Sequence, residues 1–153
     1  MSLELKTTAF VNGGEIPKKF TCSGADLSPA LTWSGVSPAA HSLVLIADDP
    51  DAPRGTWTHW LIWNIPAHFT ELPEGTPKLE VLESGARQGT NDFGHIGYGG
   101  PCPPPGKAHR YYFRLFALDV ALDLQAGAGR NDLERAMKRH VLSQAEWMGT
   151  YRR

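Results

Sequence analysis

Apolar and polar residues alternate in several stretches of this chain, which predicts β-strands because successive side chains of a strand point to opposite faces. In residues 2–7, Leu3 and Leu5 alternate with Glu4 and Lys6, the pattern of a half-buried strand. Residues 42–47, Ser-Leu-Val-Leu-Ile-Ala, are almost continuously apolar. Such a run is typical of a central strand covered on both faces. Shorter strands are predicted at residues 19–21, 31–33 and 78–82.

Two more long strands are predicted at residues 57–65 and 110–120. The first has two largely apolar faces, so it is expected inside a sheet. Strict alternation places Trp57, His59, Leu61, Trp63 and Ile65 on one face and Thr58, Trp60, Ile62 and Asn64 on the other. Residues 66–75 are expected to form a connection with one helical turn, and residues 83–95 a polar, glycine-rich loop.

The one helix predicted from the sequence begins near Asn131, which suits an N-cap, with Glu134 at the capping-box position. Apolar residues keep helical spacing up to Ala145, and Gly149 marks the end: Leu133, Ala136, Met137, Val141 and Ala145. Strands followed by one late helix predict a mainly β chain. We expect a single domain over residues 1–153, an antiparallel β-sandwich with one C-terminal α-helix and short helical turns.

The composition is that of a globular protein, with 153 residues, 41% of them hydrophobic and 20% charged. A formal charge of -1 offers no basic field for nonspecific nucleic-acid binding. The N-terminal residues lack the apolar core of a signal peptide, and no run is long enough for a membrane span. The sequence therefore predicts a cytoplasmic protein without stable membrane insertion.

Cys22 and Cys102 are the two cysteines of the chain. Two are too few for a disulfide framework, and no Cys/His spacing indicates zinc. For a cytoplasmic protein we favour two reduced thiols. The alternative is that the two cysteines lie close together and oxidise.

Polar residues interrupt the apolar pattern at three places where strands meet loops: Asp49 and Asp51, His59, and His109 with Tyr111. If the chain is extended, Asp49 and Asp51 point to opposite sides, so only one is expected to share a pocket with His59. Each group also has a purely structural explanation. These are a core histidine for His59, a solvated loop residue for His109 and a turn carboxylate for Asp51.

Together these groups suit a small oxyanion. Two imidazoles and the Tyr111 hydroxyl can donate hydrogen bonds, and the amides of Gly99 and Gly100 can form a backbone nest. An aspartate beside the histidines would orient them. Trp57, Trp60 or Pro101 can supply an apolar wall. A metal site made of the histidines and an aspartate fits less well because no local ligand motif supports it, and there is no Gly-x-Ser-x-Gly nucleophile elbow.

Three blocks of the sequence resemble the signatures of the phosphatidylethanolamine-binding protein family, and in particular its bacterial, Raf kinase inhibitor-like branch. They are Asp49-Pro-Asp-Ala-Pro53, Trp57-Thr-His-Trp60, and Gly97-Tyr-Gly-Gly-Pro-Cys-Pro-Pro-Pro-Gly106 followed by His109-Arg-Tyr111. Phe20-Thr-Cys and Leu27-Ser-Pro are further features similar to the bacterial branch. The resemblance covers roughly residues 3–150.

The resemblance implies a β-sandwich with a small pocket for phosphate-like anions, including phospholipid headgroups, without metal or organic cofactor. Carried over by position, the pocket comprises Asp49, His59, Gly100, Pro101, His109 and Tyr111. Its rim comprises Asp51, Ala52, Pro53, Trp57 and Gly99. The family includes modulators of kinase pathways and a peptidase inhibitor, so a kinase or peptidase partner is implied as well. Members of the bacterial branch often form dimers, which implies a homodimer.

Two departures from the family pattern bear on this expectation. Lys107-Ala108 lengthens the link before His109, and we expect no C-terminal extension like that of animal members. The second departure argues against kinase regulation of the eukaryotic type. From the polar residues and the resemblance together, we expect a non-enzymatic binding protein for a phosphate-bearing group. The alternatives are a metal-independent phosphoester hydrolase that uses Asp49, His59 and His109, and a dimeric interaction protein with a vestigial pocket.

Overall fold

The computed structural model describes residues 2–153, whose strands form two antiparallel sheets. The three-stranded sheet has the order β1-β2-β5 and the five-stranded sheet the order β6-β4-β3-β7-β8. The strands are β1 (Glu4–Lys6), β2 (Leu31–Ser34), β3 (Ser42–Asp49), β4 (Trp57–Pro66), β5 (Glu71–Leu72), β6 (Arg87–Gln88), β7 (His109–Leu118) and β8 (Val141–Tyr151). The predicted mainly β fold with one helix, α1 (Arg130–Met137), is confirmed.

The central strand β3 is buried at every position, as its apolar run predicts. Leu43, Leu45 and Ala47 join the core between the two sheets. Val44 and Ile46 join a second core on the other face of the five-stranded sheet. Residues of α1 belong to this second core. A strand covered on both sides has no polar face, and this is why its sequence does not alternate.

The predicted division of β4 into two faces holds for residues 60–63 and fails beyond them. Ile65 joins the core of Trp60 and Ile62, and His59 lies in a bulge. Two register shifts in the pairing of β3 with β4 each add a residue to β4. Between the partners of Ala47 and Asp48, the added residue is His59. The bulge lets His59 line a cavity at the end of the core to which its neighbour Trp60 belongs. Bulges re-aim side chains in this way, and strict alternation does not foresee them.

The helix is shorter than its apolar spacing predicts, because the chain leaves the helix at Lys138 and Arg139 has a left-handed φ of 70°. Its N-cap is Gly129, not Asn131. The predicted second half of the helix is the strand β8, which pairs with β7 from end to end. Helical periodicity in residues 141–149 was misleading because sheet pairing, absent from a local pattern, decides this segment.

Several short elements also differ from the prediction. Residues 18–20 form a 3₁₀ helix instead of a strand, and residues 78–82 contain no strand. The two-residue strands β5 and β6 lie in stretches predicted to be connections. Such short strands exist through pairing with β2 and β4, so alternation carries no signal for them.

The preference for reduced thiols is also wrong, because Cys22 and Cys102 form a disulfide bond between residues 80 positions apart. The two loops that carry them are adjacent, and the amide of Cys22 donates a hydrogen bond to the carbonyl oxygen of Pro101 at 3.1 Å. The disulfide thus ties the proline-rich loop to residues 18–26. Within residues 2–153, no helix has the length and apolarity that crossing a membrane requires.

Candidate anion-binding site

A cavity of about 150 Å³, the anion cavity, lies at one end of the five-stranded sheet. The end of β3 and the starts of β4 and β7 meet there because β3 pairs antiparallel with both neighbours. Seven predicted residues line it: Asp49, Ala52, Pro53, Trp57, His59, His109 and Tyr111. The topology therefore joins polar residues that are up to 62 positions apart in sequence (49 to 111).

Asp49 and His109 form the central polar pair of the anion cavity. The Nδ1 atom of His109 lies 2.7 Å from Oδ2 of Asp49, and the two side chains are 12% and 4% exposed. The carboxylate accepts the Nδ1 proton, and its Oδ1 atom accepts a second hydrogen bond from the amide of Asp51 at 2.8 Å. This arrangement orients the ring of His109 and leaves Nε2 as its second polar atom.

His59 plays a different part from the one predicted. Its Nδ1 atom donates to the carbonyl oxygen of Gly99 at 2.6 Å, because a carbonyl can only accept. Burial lowers the pKa of His59 below its ordinary value of 6.5, so the ring is neutral at pH 7. In that tautomer Nε2 is an acceptor. The expectation that both imidazoles donate to an anion therefore does not apply to neutral His59.

The Tyr111 hydroxyl is a buried donor that lies near the carboxylate of Asp49 but, in the described part of the chain, makes no hydrogen bond of acceptable geometry. Its side chain is 3% exposed, and within residues 2–153 the hydroxyl oxygen has no hydrogen-bond partner. Burial, followed by the negative charge of Asp49, raises the pKa of this phenol far above its ordinary value. The hydroxyl therefore keeps its proton. A buried donor without a partner is costly unless a ligand accepts its hydrogen bond.

The predicted backbone nest is wrong, because both glycine amides already have partners. The amide of Gly99 donates to the carbonyl oxygen of His59 at 2.9 Å, and that of Gly100 to Oδ1 of Asp26 at 2.8 Å. Neither glycine lines the anion cavity, nor does Pro101. Packing accounts for the glycine at 100, since a Cβ there would lie 2.2 Å from the carbonyl oxygen of Phe20.

Asp51 lies beside the anion cavity instead of in it, which agrees with the expectation that only one of the two aspartates faces His59. Its Oδ1 atom is 2.8 Å from Nη2 of Arg110. Its Oδ2 atom accepts hydrogen bonds from the backbone amide and from Nε of the same residue, both at 2.9 Å. These bonds lower the pKa of Asp51 to about 2. The carboxylate is thus bound to Arg110 and unavailable for acid–base chemistry near pH 7.

The wall of the anion cavity is completed by four residues that were not predicted as site residues: Phe93, Cys102, Pro103 and Pro104. The ring of Phe93 packs edge-on against His59 at 5.3 Å and Trp57 at 5.5 Å between centroids. Phe93 lies in a loop without periodicity, so no local signal marks it. Pro103 and Pro104 belong to the proline-rich run that the sequence marks as a candidate ligand loop. The sequence did not show that these two residues line the cavity. Among residues 2–153, no three His, Cys, Asp or Glu side chains are grouped to hold a metal ion.

The comparison with known protein families supports the resemblance in sequence. The family model for phosphatidylethanolamine-binding proteins matches residues 6–152. The chain belongs to the phosphatidylethanolamine-binding protein family. A UPF0098 protein of Methanothermobacter thermautotrophicus is 53% identical over 99% of both chains. A UPF0098 protein of Aquifex aeolicus is 50% identical over 99% of this chain and 89% of its own.

Two solved structures of the phosphatidylethanolamine-binding protein family share the fold. The homologue CT736 of Chlamydia trachomatis has a TM-score of 0.90 and 42% identity, with 99% of this chain and 98% of its own covered. YbcL of E. coli, described as a new member of the mammalian family, has a TM-score of 0.93 and 32% identity, with coverage of 100% and 99%.

Proposed function

We propose that this chain is a non-enzymatic protein that binds a phosphate or a similar anion, carried by a small molecule, a phospholipid headgroup or a phosphorylated side chain. The observation that carries the proposal is the buried, unpartnered hydroxyl of Tyr111 in the cavity that also holds His109. The hydroxyl can donate to one phosphate oxygen, and Nε2 of His109 to another when that ring is charged. Neutral His59 can accept the proton of a monoanionic phosphate.

The rival proposal is phosphoester hydrolysis by Asp49, His59 and His109. Proteins of this family are generally non-catalytic. The carboxylate of Asp49 is already bonded to a ring nitrogen and to a backbone amide, which suits orientation of His109 more than attack on phosphorus. Release of inorganic phosphate from a phosphomonoester, abolished by His59→Ala, would favour the hydrolase.

The decisive experiment is calorimetric titration of inorganic phosphate and phosphoethanolamine into the wild type and His109→Ala. We expect saturable binding that weakens tenfold or more in the variant, equivalent to about 1.4 kcal/mol. His140→Ala is the matched control, since His140 forms an exposed pair with Asp119 at 2.8 Å and does not line the anion cavity. Absence of binding to the wild type would contradict the proposal and favour an interaction protein with a vestigial pocket.

Partner and compartment follow as parts of the same proposal. Inhibition of a kinase or peptidase would arise by occlusion of the partner's site, and a homodimer would use the exposed Val141 and Leu142 of β8. Cytoplasmic residence was the reason for expecting reduced thiols, and the Cys22–Cys102 disulfide does not meet that expectation. Intracellular disulfides are common in hyperthermophiles, so the bond is compatible with either compartment.

A further inference from the structure

A second cavity, of about 620 Å³, adjoins the anion cavity, and the two share Phe93 and Cys102 as a wall. The anion cavity, at about 150 Å³, has room for a phosphate group and a few further atoms. Sites for organic ligands usually occupy about 300–1,000 Å³. The larger cavity has this volume. An organic group attached to a phosphate in the anion cavity would therefore find a concave surface of sufficient size beside it.

The polar side chains that line the larger cavity are mostly paired within the protein. Oδ1 of Asp26 accepts the amide of Gly100 at 2.8 Å, and its Oδ2 lies 3.6 Å from Nζ of Lys78. The side-chain amide of Asn91 donates to the carbonyl oxygen of Gly97 at 2.9 Å. The hydroxyl of Tyr98 donates to the carbonyl oxygen of Phe20 at 2.7 Å. These groups offer few further hydrogen bonds to a ligand.

The exposed side chain of His95 also lines the larger cavity, and the remainder of the wall is apolar or backbone. Phe93 is 39% exposed although its ring touches His59, a residue of the anion cavity. Half-buried Ile96 and the Cys22–Cys102 disulfide line the larger cavity beside it. An exposed phenylalanine between two cavities costs free energy unless a ligand covers it, and aromatic rings pack well on such a face.

We propose that the two cavities bind one ligand, an aromatic phosphomonoester. Its phosphate lies in the anion cavity, and its aromatic group crosses Phe93 and packs against Ile96 and the disulfide in the larger cavity. This inference rests on the proposed function, because the phosphate anchors the ligand. It adds the chemical class of the organic part, which the anion cavity alone leaves open.

Calorimetric titration with methyl phosphate and 1-naphthyl phosphate tests the inference, since both are monoesters and differ in the organic group. We expect the naphthyl ester to bind at least tenfold more tightly to the wild type. Ile96→Ala should weaken the naphthyl ester about threefold or more and leave the methyl ester unchanged, because Ile96 lines only the larger cavity. Val81→Ala is the matched control, since Val81 is exposed and lines neither cavity.

Methyl NMR spectra provide a second readout that needs no variant. The Ile96 δ1 methyl signal should shift with the naphthyl ester and not with the methyl ester. The four other isoleucines are buried in the cores and serve as internal references: Ile16, Ile46, Ile62 and Ile65. Equal affinities for the two esters, or an unshifted Ile96 signal at saturation, would overturn the inference alone. Absence of binding by either ester would overturn the proposed function together with it.

Discussion

Asp48 and Asp49 are neighbours in β3, but their carboxylates lie on opposite faces of the five-stranded sheet. Asp49 bonds to His109 in the anion cavity. Oδ2 of Asp48 lies 2.9 Å from Nη1 of Arg130 and 3.2 Å from Nε of Arg114. One carboxylate therefore belongs to the candidate site, whereas the other links β3 and β7 to the helix α1. Similar substitutions of Asp48 and of Asp49 therefore separate a structural role, that of Asp48, from a role in the candidate site, that of Asp49.

Asp48→Asn is expected to destabilise the protein without changing its affinity for phosphate. Asp48 is 1% exposed and its charge faces two arginines, and hydrogen bonds between charged groups contribute about 1.5–3 kcal/mol each. Urea unfolding should show a loss of about this size, with phosphate affinity measured by calorimetry. A parallel loss of phosphate affinity in the folded variant would show that Asp48 also acts on the anion cavity.

Tyr111→Phe is expected to preserve or raise stability and to weaken phosphate binding about fivefold or more. The Tyr111 hydroxyl is buried without a partner in residues 2–153, so its removal breaks no internal hydrogen bond. Tyr98→Phe is the control, because the hydroxyl of Tyr98 donates to the carbonyl oxygen of Phe20 at 2.7 Å. That change should cost about 1–3 kcal/mol of stability. Thermal melting and calorimetry of both variants check the contrast, which a destabilised Tyr111→Phe would contradict.

Reduction of the disulfide is expected to lower the free energy of unfolding. Cys22 and Cys102 are 80 positions apart, and a cross-link that closes a loop of this length stabilises by roughly 4.5 kcal/mol in the chain-entropy model. Urea unfolding with and without dithiothreitol measures the difference, and the Cys22→Ser/Cys102→Ser double variant should match the reduced wild type. Two thiols that alkylate freely in the absence of reductant would refute the bond.

Stability should also depend on pH through His59. Burial lowers the pKa of its folded form below the ordinary 6.5, so the unfolded chain binds this proton more readily. The contribution of His59 is therefore complete above pH 6.5 and is lost as the pH falls from 6.5 towards the folded-state pKa. Urea unfolding across this range and NMR titration of the His59 ring provide the measurement. A ring midpoint at or above 6.5 would disprove the assignment of a neutral imidazole.

Much of the candidate site could be predicted from the sequence, because its polar residues stand where apolar strands end. Asp49, His59, His109 and Tyr111 all line the anion cavity, and the buried strand β3 is found where its apolar run predicts. Side-chain alternation and loop composition are local properties. Both can be read from a single sequence. The resemblance of three blocks to the family indicated in addition that these polar residues form one pocket.

Tertiary structure decided what depends on contacts between distant segments. The bulge that re-aims His59 arises from register with β3, and β8 is a strand because β7 pairs with it. The amides of Gly99 and Gly100 bond to His59 and Asp26 instead of facing a ligand. Two further features depend on contacts between distant segments: Phe93 closes the cavity wall, and Cys22 is bonded to Cys102. Local pattern reports which residues are buried and how the backbone bends, whereas long-range pairing and packing determine which polar groups are already bonded and which stay free to bind.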